Sequence, residues 1–218
     1  MIELILKVVA SYLVGSLIGG LIVGRLRGGV DIRTLGSGNA GGTNALRTQG
    51  KSFALWVMLI DIGKGIVATR VIASLPLPGI AVSGPDTLRE WLPVLCGLAA
   101  IVGHCYPVWY GFRGGKGVAT LIGVMCGLDP SLLLAVLVVW LLMVMLFGFV
   151  GLASIVAAAS IVLFVAASGM QPQEPLLVFG VAVALLVAFT HRTNIARMRA
   201  GTEPRAKRLW LLGRGRQD

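Results

Sequence analysis

Long apolar runs separated by short polar segments dominate the pattern of this sequence. Six of them approach the roughly 20 residues that a helix needs to cross about 30 Å of hydrocarbon. They span residues 3–24, 52–75, 92–110, 131–150, 152–168 and 175–190. A single signal peptide does not account for so many runs. The pattern therefore predicts an all-α integral membrane protein.

The composition agrees with lipid as the solvent. Of the 218 residues, 56% are hydrophobic and 13% are charged, and the mean hydropathy is +0.89, whereas soluble domains have about 25% charged residues. The net charge of +10 does not indicate nucleic-acid binding, because the basic residues lie between the apolar runs. Cys96, Cys105 and Cys126 lack the spacing of metal ligands and are expected to be small buried apolar residues.

The distribution of charge predicts which side each connection faces. Three basic segments are assigned to the cytoplasm by the positive-inside rule. They contain Arg25, Arg27, Arg33, Arg47 and Lys51 in the first, Arg113 and Lys116 in the second, and Arg192, Arg197, Arg199, Arg205, Lys207, Arg208, Arg214 and Arg216 in the tail. The connections 76–91, where Arg89 stands against Asp86 and Glu90, and 169–174, with Glu174, are assigned to the outside. The amino terminus is then periplasmic and the carboxyl terminus cytoplasmic.

These assignments require an even number of crossings between Arg113 and the basic tail, but only three convincing apolar runs lie there. The missing crossing is assigned to residues 117–128, which as a helix would be about 18 Å long and too short to face lipid throughout. A short helix inside the bundle is therefore predicted. The prediction is one membrane-embedded domain, residues 1–218, with seven transmembrane helices and cytoplasmic motif segments at about 25–51, 111–120 and 190–204.

The first glycine-rich segment, GSGNAGGTNALRTQGK at 36–51, has the composition of an anion-binding loop. Glycines allow backbone N–H groups to approach an anion, and a guanidinium suits phosphate. Arg47 supplies the guanidinium, and the neutral donors are Ser37, Asn39, Thr43 and Asn44. The alternative is a flexible loop with interfacial positive charge.

The second segment, GHCYPVWYGFRGGKGVAT at 103–120, leads directly into the short predicted helix. The amides of Gly114–Gly117 and the positive end of the helix dipole would face one spot beside Lys116. The segment lacks the GKS/T ending of a Walker A loop. The alternative is a structural role, in which the glycines allow a tight turn and the Lys116 side chain extends to the lipid headgroups. His104 is more often a packing histidine than a ligand.

The third cluster lies in THRTNIARMRAGTEP at 190–204, where His191, Asn194 and Arg197 are spaced three apart and share one helix face. The alternative is a basic helix that grips anionic headgroups, a role assigned to Arg199, Arg205, Lys207 and Arg208. Asp61 and Lys64 lie within an apolar run, so they are either functional or an ion pair that satisfies itself or holds a neighbouring loop.

Four motifs, in this order, resemble the bacterial acyl-phosphate:glycerol-3-phosphate acyltransferases, the PlsY family, over nearly the whole chain. They are GSGNAGGTN with Arg47 downstream, IDIGKG, GHCYPVWYGFRGGKGVAT and HRTNIARMRAGTE. The resemblance implies seven helices, no metal or cofactor, acyl phosphate as donor, glycerol 3-phosphate as acceptor and lysophosphatidic acid as product. It also implies an active site on the cytoplasmic side of the bacterial inner membrane, contact with membrane lipid, and the soluble enzyme that forms acyl phosphate as a partner.

The resemblance also assigns residues, with Ser37, Arg47, Lys116, His191 and Asn194 as the central set. Catalysis is expected of Ser37, His191 and Asn194, and substrate binding of Ser37, Gly38, Asn39, Thr43, Asn44, Arg47, His104, Gly114, Gly115, Lys116, Gly117, Thr120, Ser154 and Arg197. Asp61, Lys64 and Glu203 are assigned supporting roles. Family members commonly read Ser-Leu-Ala-Ser where this chain has Gly151-Leu152-Ala153-Ser154, so the first serine is absent here.

In the expected reaction the 1-hydroxyl of glycerol 3-phosphate attacks the acyl carbonyl and phosphate leaves, so orientation and charge stabilisation are the main requirements. Either His191 or a phosphate oxygen of the substrate takes the proton. A transporter for a phosphorylated solute fits less well, because all polar clusters fall on one side. HxxxxD acyltransferases and CDP-alcohol phosphotransferases fit poorly, since Trp109 and Ala196 follow the two histidines and no aspartate-rich motif is present. A non-catalytic lipid-binding protein would leave the polar clusters unexplained.

Overall fold

The computed structural model describes residues 1–77 and 87–212, and every regular element in these stretches is helical. Their α-helices are α1 (Ile2–Gly15), α2 (Gly19–Leu26), α3 (Gly42–Gln49), α4 (Lys51–Ile66), α5 (Thr87–Cys105), α6 (Val118–Leu128), α7 (Pro130–Phe147), α8 (Val150–Ser168), α9 (Gln173–Thr190) and α10 (Arg192–Arg199). Asp86, Arg214 and Arg216 lie outside the described residues, as does most of the predicted outer connection 76–91.

The chain divides into two compact units, Met1–Asp129 and Pro130–Asp218. In the described residues, four helices are long and apolar enough to cross a membrane: Arg89–Tyr110, Pro130–Phe147, Val150–Ser168 and Gln173–Thr190. The bent pair α1 and α2 would add a fifth span. Leucines project from the long helices into the surroundings, and Leu163 is 73% exposed, as expected of lipid-facing side chains. The chain is therefore an integral membrane protein, as predicted.

The predicted crossing 3–24 is not one continuous helix. It breaks between Gly15 and Gly19, and α1 and α2 are bent by 46°. The break exposes backbone groups that would otherwise bond within the helix, and α4 supplies their partners. Lys64 Nζ donates to Leu17 O at 2.8 Å, and Gly19 N donates to Asp61 Oδ1 at 3.0 Å. The local pattern around residue 17 does not reveal the break, because both partners lie more than 40 residues further along the chain.

The helices α4 and α6 lie in close backbone contact in the first unit. α4 has 16 residues and continues into a π-helical turn, Val67–Ile72, so that it covers most of the predicted run 52–75. α6 has 11 residues, which confirms the prediction of a short helix at 117–128. A Cβ at Gly65 would lie 2.4 Å from Thr120 O, and one at Gly123 would lie 1.9 Å from Ile62 O. Glycine is therefore required at both positions for this approach.

Candidate active site

The first glycine-rich segment is organised by Asn44, whose side chain is buried. Its Nδ2 donates at 2.9–3.0 Å to three backbone carbonyls, those of Ile32, Leu35 and Asn39. Its Oδ1 accepts from Ser37 N at 2.9 Å. Gly36 has a φ of +56° and passes so close to Asn44 that a Cβ there would lie 2.4 Å from Oδ1. The structure gives Asn44 a supporting role, and its contact with substrate stays a prediction.

Several predicted ligands project from this framework. Ser37, Gly38, Thr43 and Arg47 are exposed, and Asn39 is half-buried. Arg47 lies in the last turn of α3. These residues are therefore accessible to a solute.

Arg33, which the sequence did not mark as a site residue, fastens the first segment to the second. Its Nη1 donates to Arg113 O at 2.9 Å and to Tyr110 O at 3.3 Å. Its Nε and Nη2 donate to the Asp31 carboxylate at 2.7–3.2 Å. The hydrogen bond from Arg33 holds the pKa of Asp31 below its usual value, and the same bond raises the pKa of Arg33. The two glycine-rich segments thus form one connected framework.

The second segment differs from the prediction in the direction of two amides. Gly114 N donates to Cys105 O at 3.2 Å, and Gly115 N donates to His104 O at 3.0 Å. The last carbonyls of α5 need donors, and the loop turns back to supply them. The prediction that the Gly114 and Gly115 amides face an anion is therefore wrong. Gly117, at φ +84°, is the N-cap of α6, so half-buried Lys116 at the start of this helix remains the candidate anion ligand.

A buried charged cluster lies beneath the second segment. Lys64 Nζ is 2.9 Å from Asp61 Oδ1 and 2.8 Å from His104 Nδ1. Each of the three side chains is at most 5% exposed. His104, predicted to bind substrate, here packs against Gly115, where a Cβ would lie 2.1 Å from His104 Nε2. Thr120, also predicted to bind substrate, is fully buried.

The second unit carries the third predicted cluster, which begins with His191 at the end of α9. His191 Nδ1 lies 2.8 Å from Val187 O, and the residue is 4% exposed. A carbonyl oxygen can only accept, so Nδ1 carries a proton, and Nε2 is the acceptor nitrogen when the ring is neutral. Nε2 is therefore the atom of this side chain that can take up a proton.

Asn194 and Arg197 share one partner, Glu203. Asn194 Nδ2 donates to Glu203 Oε1 at 2.7 Å, and Arg197 Nε donates to Oε2 at 2.7 Å. The Glu203 side chain is 6% exposed, so these two bonds hold a buried carboxylate. Such charge-assisted bonds are short and directional. Glu203 fixes the orientation of both side chains.

Ser154, the serine that remains near the start of α8, is engaged within its own unit. Its Oγ donates to Val150 O at 3.0 Å and accepts from Trp140 Nε1 at 3.3 Å. The residue is 5% exposed. Its predicted contact with substrate is not visible in these bonds and stays a prediction.

The tail, residues 200–212, folds back on the end of α7. Three groups of the tail, Ala206 N, Trp210 Nε1 and Leu211 N, donate at 2.8–3.2 Å to three carbonyls around that end, those of Gly148, Leu146 and Met145. The Arg205 guanidinium lies 4.7 Å from the Phe149 ring centroid and 3.9 Å from that of Trp210. Arg205 was expected to grip lipid headgroups, but its charge faces aromatic rings of the protein.

The sequence matches a known protein family and its members over most of its length. Residues 5–201 match the family model described as glycerol-3-phosphate acyltransferase. The chain belongs to this family. The glycerol-3-phosphate acyltransferase of Chlorobium phaeobacteroides is 38% identical over 95% of this chain and 98% of its own. That of Synechococcus sp. strain CC9902 is 40% identical over 92% of this chain and 94% of its own.

Solved structures agree with the assignment to the glycerol-3-phosphate acyltransferases. The crystal structure of PlsY (YgiH), an integral membrane glycerol 3-phosphate acyltransferase, in its glycerol 3-phosphate form is 36% identical, with a TM-score of 0.77 over 93% of this chain and 94% of that one. Its lysophosphatidic acid form is 34% identical, with a TM-score of 0.78 over 94% of this chain and 97% of that one. The resemblance to the PlsY family is confirmed, and the chain is an acyltransferase.

Proposed function

We propose that this acyltransferase moves an acyl group from an acyl phosphate to the 1-hydroxyl of sn-glycerol 3-phosphate. The observation that carries the proposal is the similarity, over 93% of the chain, to a glycerol 3-phosphate acyltransferase solved in a glycerol 3-phosphate form and in a lysophosphatidic acid form. In the reaction, the hydroxyl oxygen bonds to the acyl carbon and the bond from that carbon to the phosphate oxygen breaks. Lysophosphatidic acid and inorganic phosphate are the products.

Arg47 and Lys116 are the proposed phosphate ligands. Both lie in the first unit, on the two segments that Arg33 fastens together. A guanidinium and an ammonium together can hold a dianionic phosphate and offset the charge that develops as the acyl carbonyl is attacked. Ser37, exposed on the same framework, orients a substrate oxygen.

His191 and Asn194 are proposed to orient the reacting hydroxyl. The Nε2 acceptor of His191 suits a hydroxyl donor, and Glu203 fixes the Asn194 amide. The hydroxyl proton goes either to Nε2 or to a phosphate oxygen of the substrate. A His191→Gln variant with unchanged kcat and a raised KM would assign His191 to binding, and a loss of kcat would assign it to proton transfer.

An acyl phosphate is proposed as the donor because phosphate leaves readily and no acyl-enzyme is then required. A soluble enzyme that forms acyl phosphate would supply it. The direct test is purified protein in lipid, given glycerol 3-phosphate with palmitoyl phosphate or with palmitoyl-CoA. Lysophosphatidic acid from palmitoyl phosphate alone is expected. Product from palmitoyl-CoA alone would overturn the proposed donor, and no product from either donor would overturn the proposed reaction.

The proposed topology has seven crossings of the bacterial inner membrane, with the amino terminus periplasmic and the motif segments cytoplasmic. Its support is the charge distribution, together with the unbroken helical stretch from α4 to Ile72 and the short helix α6. Single cysteines labelled from either side of intact spheroplasts would test it. Labelling of position 171 from outside and of position 113 only after lysis is expected; the reverse would overturn the orientation.

A further inference from the structure

Lys64 is a buried lysine whose hydrogen bonds are all accounted for. It is 5% exposed in α4, and an ammonium carries three donors. The three donors reach Leu17 O at 2.8 Å, Asp61 Oδ1 at 2.9 Å and His104 Nδ1 at 2.8 Å. One side chain therefore connects the α1–α2 break, α4 itself and the last turn of α5.

His104 meets the cluster through Nδ1, which lies 2.8 Å from Lys64 Nζ and 3.4 Å from Asp61 Oδ1. The Nε2 edge of the ring faces Gly115, where a Cβ would lie 2.1 Å from Nε2. The backbone of the same histidine accepts from Gly115 N at 3.0 Å. His104 thus contacts Gly115 through both its ring and its backbone carbonyl. Gly115 directly precedes Lys116 in the chain.

We propose that Asp61, Lys64 and His104 are positioning residues that set the place of Lys116 through Gly115. The inference rests on the proposed role of Lys116 as a phosphate ligand. It also replaces the expectation that His104 binds substrate itself. A small shift of His104 would move the loop, and a displacement of about 1 Å in a site can cost about 100-fold in rate.

Stability alone does not account for three polar side chains at this depth. Desolvating two charges commonly offsets their attraction, so well-packed apolar residues of similar volume often serve equally well. Asp61 Oδ2 is also buried without a hydrogen-bond partner in the described part of the chain, so the carboxylate depends on the contacts of Oδ1. A cluster with these costs and a defined geometry fits a positioning role better than a stabilising one.

The first unit offers a matched control in Lys7 and Glu3. Lys7 is 4% exposed, donates to Glu3 Oε1 at 2.7 Å and to Ala73 O at 2.8 Å, and lies in α1. It is ten residues before Leu17, about 15 Å along a helix axis. Lys7 and Glu3 thus form an ion pair of the same unit, with side chains 5% and 14% exposed. The hydrogen bonds of Lys7 reach α1 itself and Ala73, not the second glycine-rich segment.

The test compares two double variants by steady-state kinetics with glycerol 3-phosphate and palmitoyl phosphate. Asp61→Asn with Lys64→Met removes both charges and avoids an unpaired carboxylate, while Glu3→Gln with Lys7→Met does the same at the control pair. We expect the first variant to lose about 100-fold in kcat/KM. The loss should come mainly from a raised KM for one substrate, and this should be the substrate whose KM rises in the Lys116→Ala variant. The control should keep both KM values, because partial misfolding lowers the active fraction and apparent kcat alone.

Combining the first double variant with Lys116→Ala separates the possible outcomes. If the cluster acts through Lys116, the combined loss should be close to that of Lys116→Ala alone, because residues that act as a unit are not additive. Unchanged KM values, full additivity, or an equal effect at the control pair would overturn the inference. If Lys116→Ala itself kept full activity, the proposed role of Lys116 would fail as well, which distinguishes the two failures.

Discussion

The Asn194 side chain packs directly on the backbone of Gly151. A Cβ at Gly151 would lie 2.9 Å from Asn194 Cβ and 3.0 Å from Asn194 Nδ2, the atom that donates to Glu203. Non-bonded carbon atoms prefer separations of about 3.5–4.0 Å. A serine at this position, which the resemblance to the family leads us to expect, would therefore displace Asn194 in this chain.

Gly151→Ser should consequently lower kcat/KM, by about 100-fold if Asn194 moves by about 1 Å. Gly63→Ser is the matched control, since Gly63 is also helical and has open space around its Cα. The control should keep its activity. Full activity of Gly151→Ser would show that Asn194 is either free to move or not required.

Asn44→Ala should destabilise the first glycine-rich segment. The change removes the bond from Ser37 N and the two Nδ2 donors, whose hydrogens are shared among three carbonyls. A hydrogen bond contributes about 1 kcal/mol. We expect a lower Tm and a raised KM for glycerol 3-phosphate. Asn44→Asp keeps an acceptor for Ser37 N but loses the Nδ2 donors, so its defect should be nearly as large; a Tm and KM equal to the parent's in both variants would refute the organising role.

The ion pair of Asp31 with Arg33 should make the stability of the folded chain depend on pH in the acidic range. The pKa of Asp31 is lowered by the hydrogen bond from Arg33, so the folded chain binds this proton less tightly than the unfolded chain does. The stabilisation is then present above the unfolded pKa and is lost as the pH falls below about 4. Thermal unfolding between pH 3 and 7 should show a steeper acid loss in the parent than in Asp31→Asn, in which the linkage is absent. Equal pH profiles of the parent and Asp31→Asn would contradict a stabilising role of the ionised Asp31 carboxylate.

Trp210→Ala should weaken the packing of the tail against the end of α7 and so increase the mobility of Glu203, which lies in the same tail. The variant loses the stacking on Arg205 and the bond to Leu146 O, about 1–2 kcal/mol for the two together. A lower Tm and reduced activity are expected. Leu212→Ala, at an exposed position of the same tail, is the control and should change neither. A Trp210→Ala variant with full activity would separate the tail from catalysis.

The apolar runs predicted the long helices well, because burial in lipid imposes both their length and their composition. The runs 131–150 and 152–168 correspond to Pro130–Phe147 and Val150–Ser168. The short helix at 117–128 followed from the charge of the connections together with the count of apolar runs between them. The α1–α2 break was not predicted, because the hydrogen-bond partners of Leu17 and Gly19 are Lys64 and Asp61, which lie far away in the sequence.

Glycine-rich composition predicts two loop segments as anion sites, but it did not predict the direction of the Gly114 and Gly115 amides. Gly114 N and Gly115 N serve the end of α5, and only the path of the loop decides that. A basic tail likewise indicated headgroup binding, yet Arg205 stacks on Phe149 and Trp210. Sequence gives residue types, whereas the partner of each charge depends on tertiary packing.

The proposed reaction and the role of Lys116 are best tested together by product formation from glycerol 3-phosphate and palmitoyl phosphate, comparing the parent protein with Lys116→Ala and Arg113→Ala. Arg113 is a neighbouring exposed basic residue whose backbone carbonyl, not its side chain, bonds to Arg33. We predict lysophosphatidic acid from the parent and from Arg113→Ala, and a loss of at least about 100-fold in Lys116→Ala. Undiminished product from Lys116→Ala would contradict the proposed role of Lys116, and no product from the parent would contradict the proposed reaction.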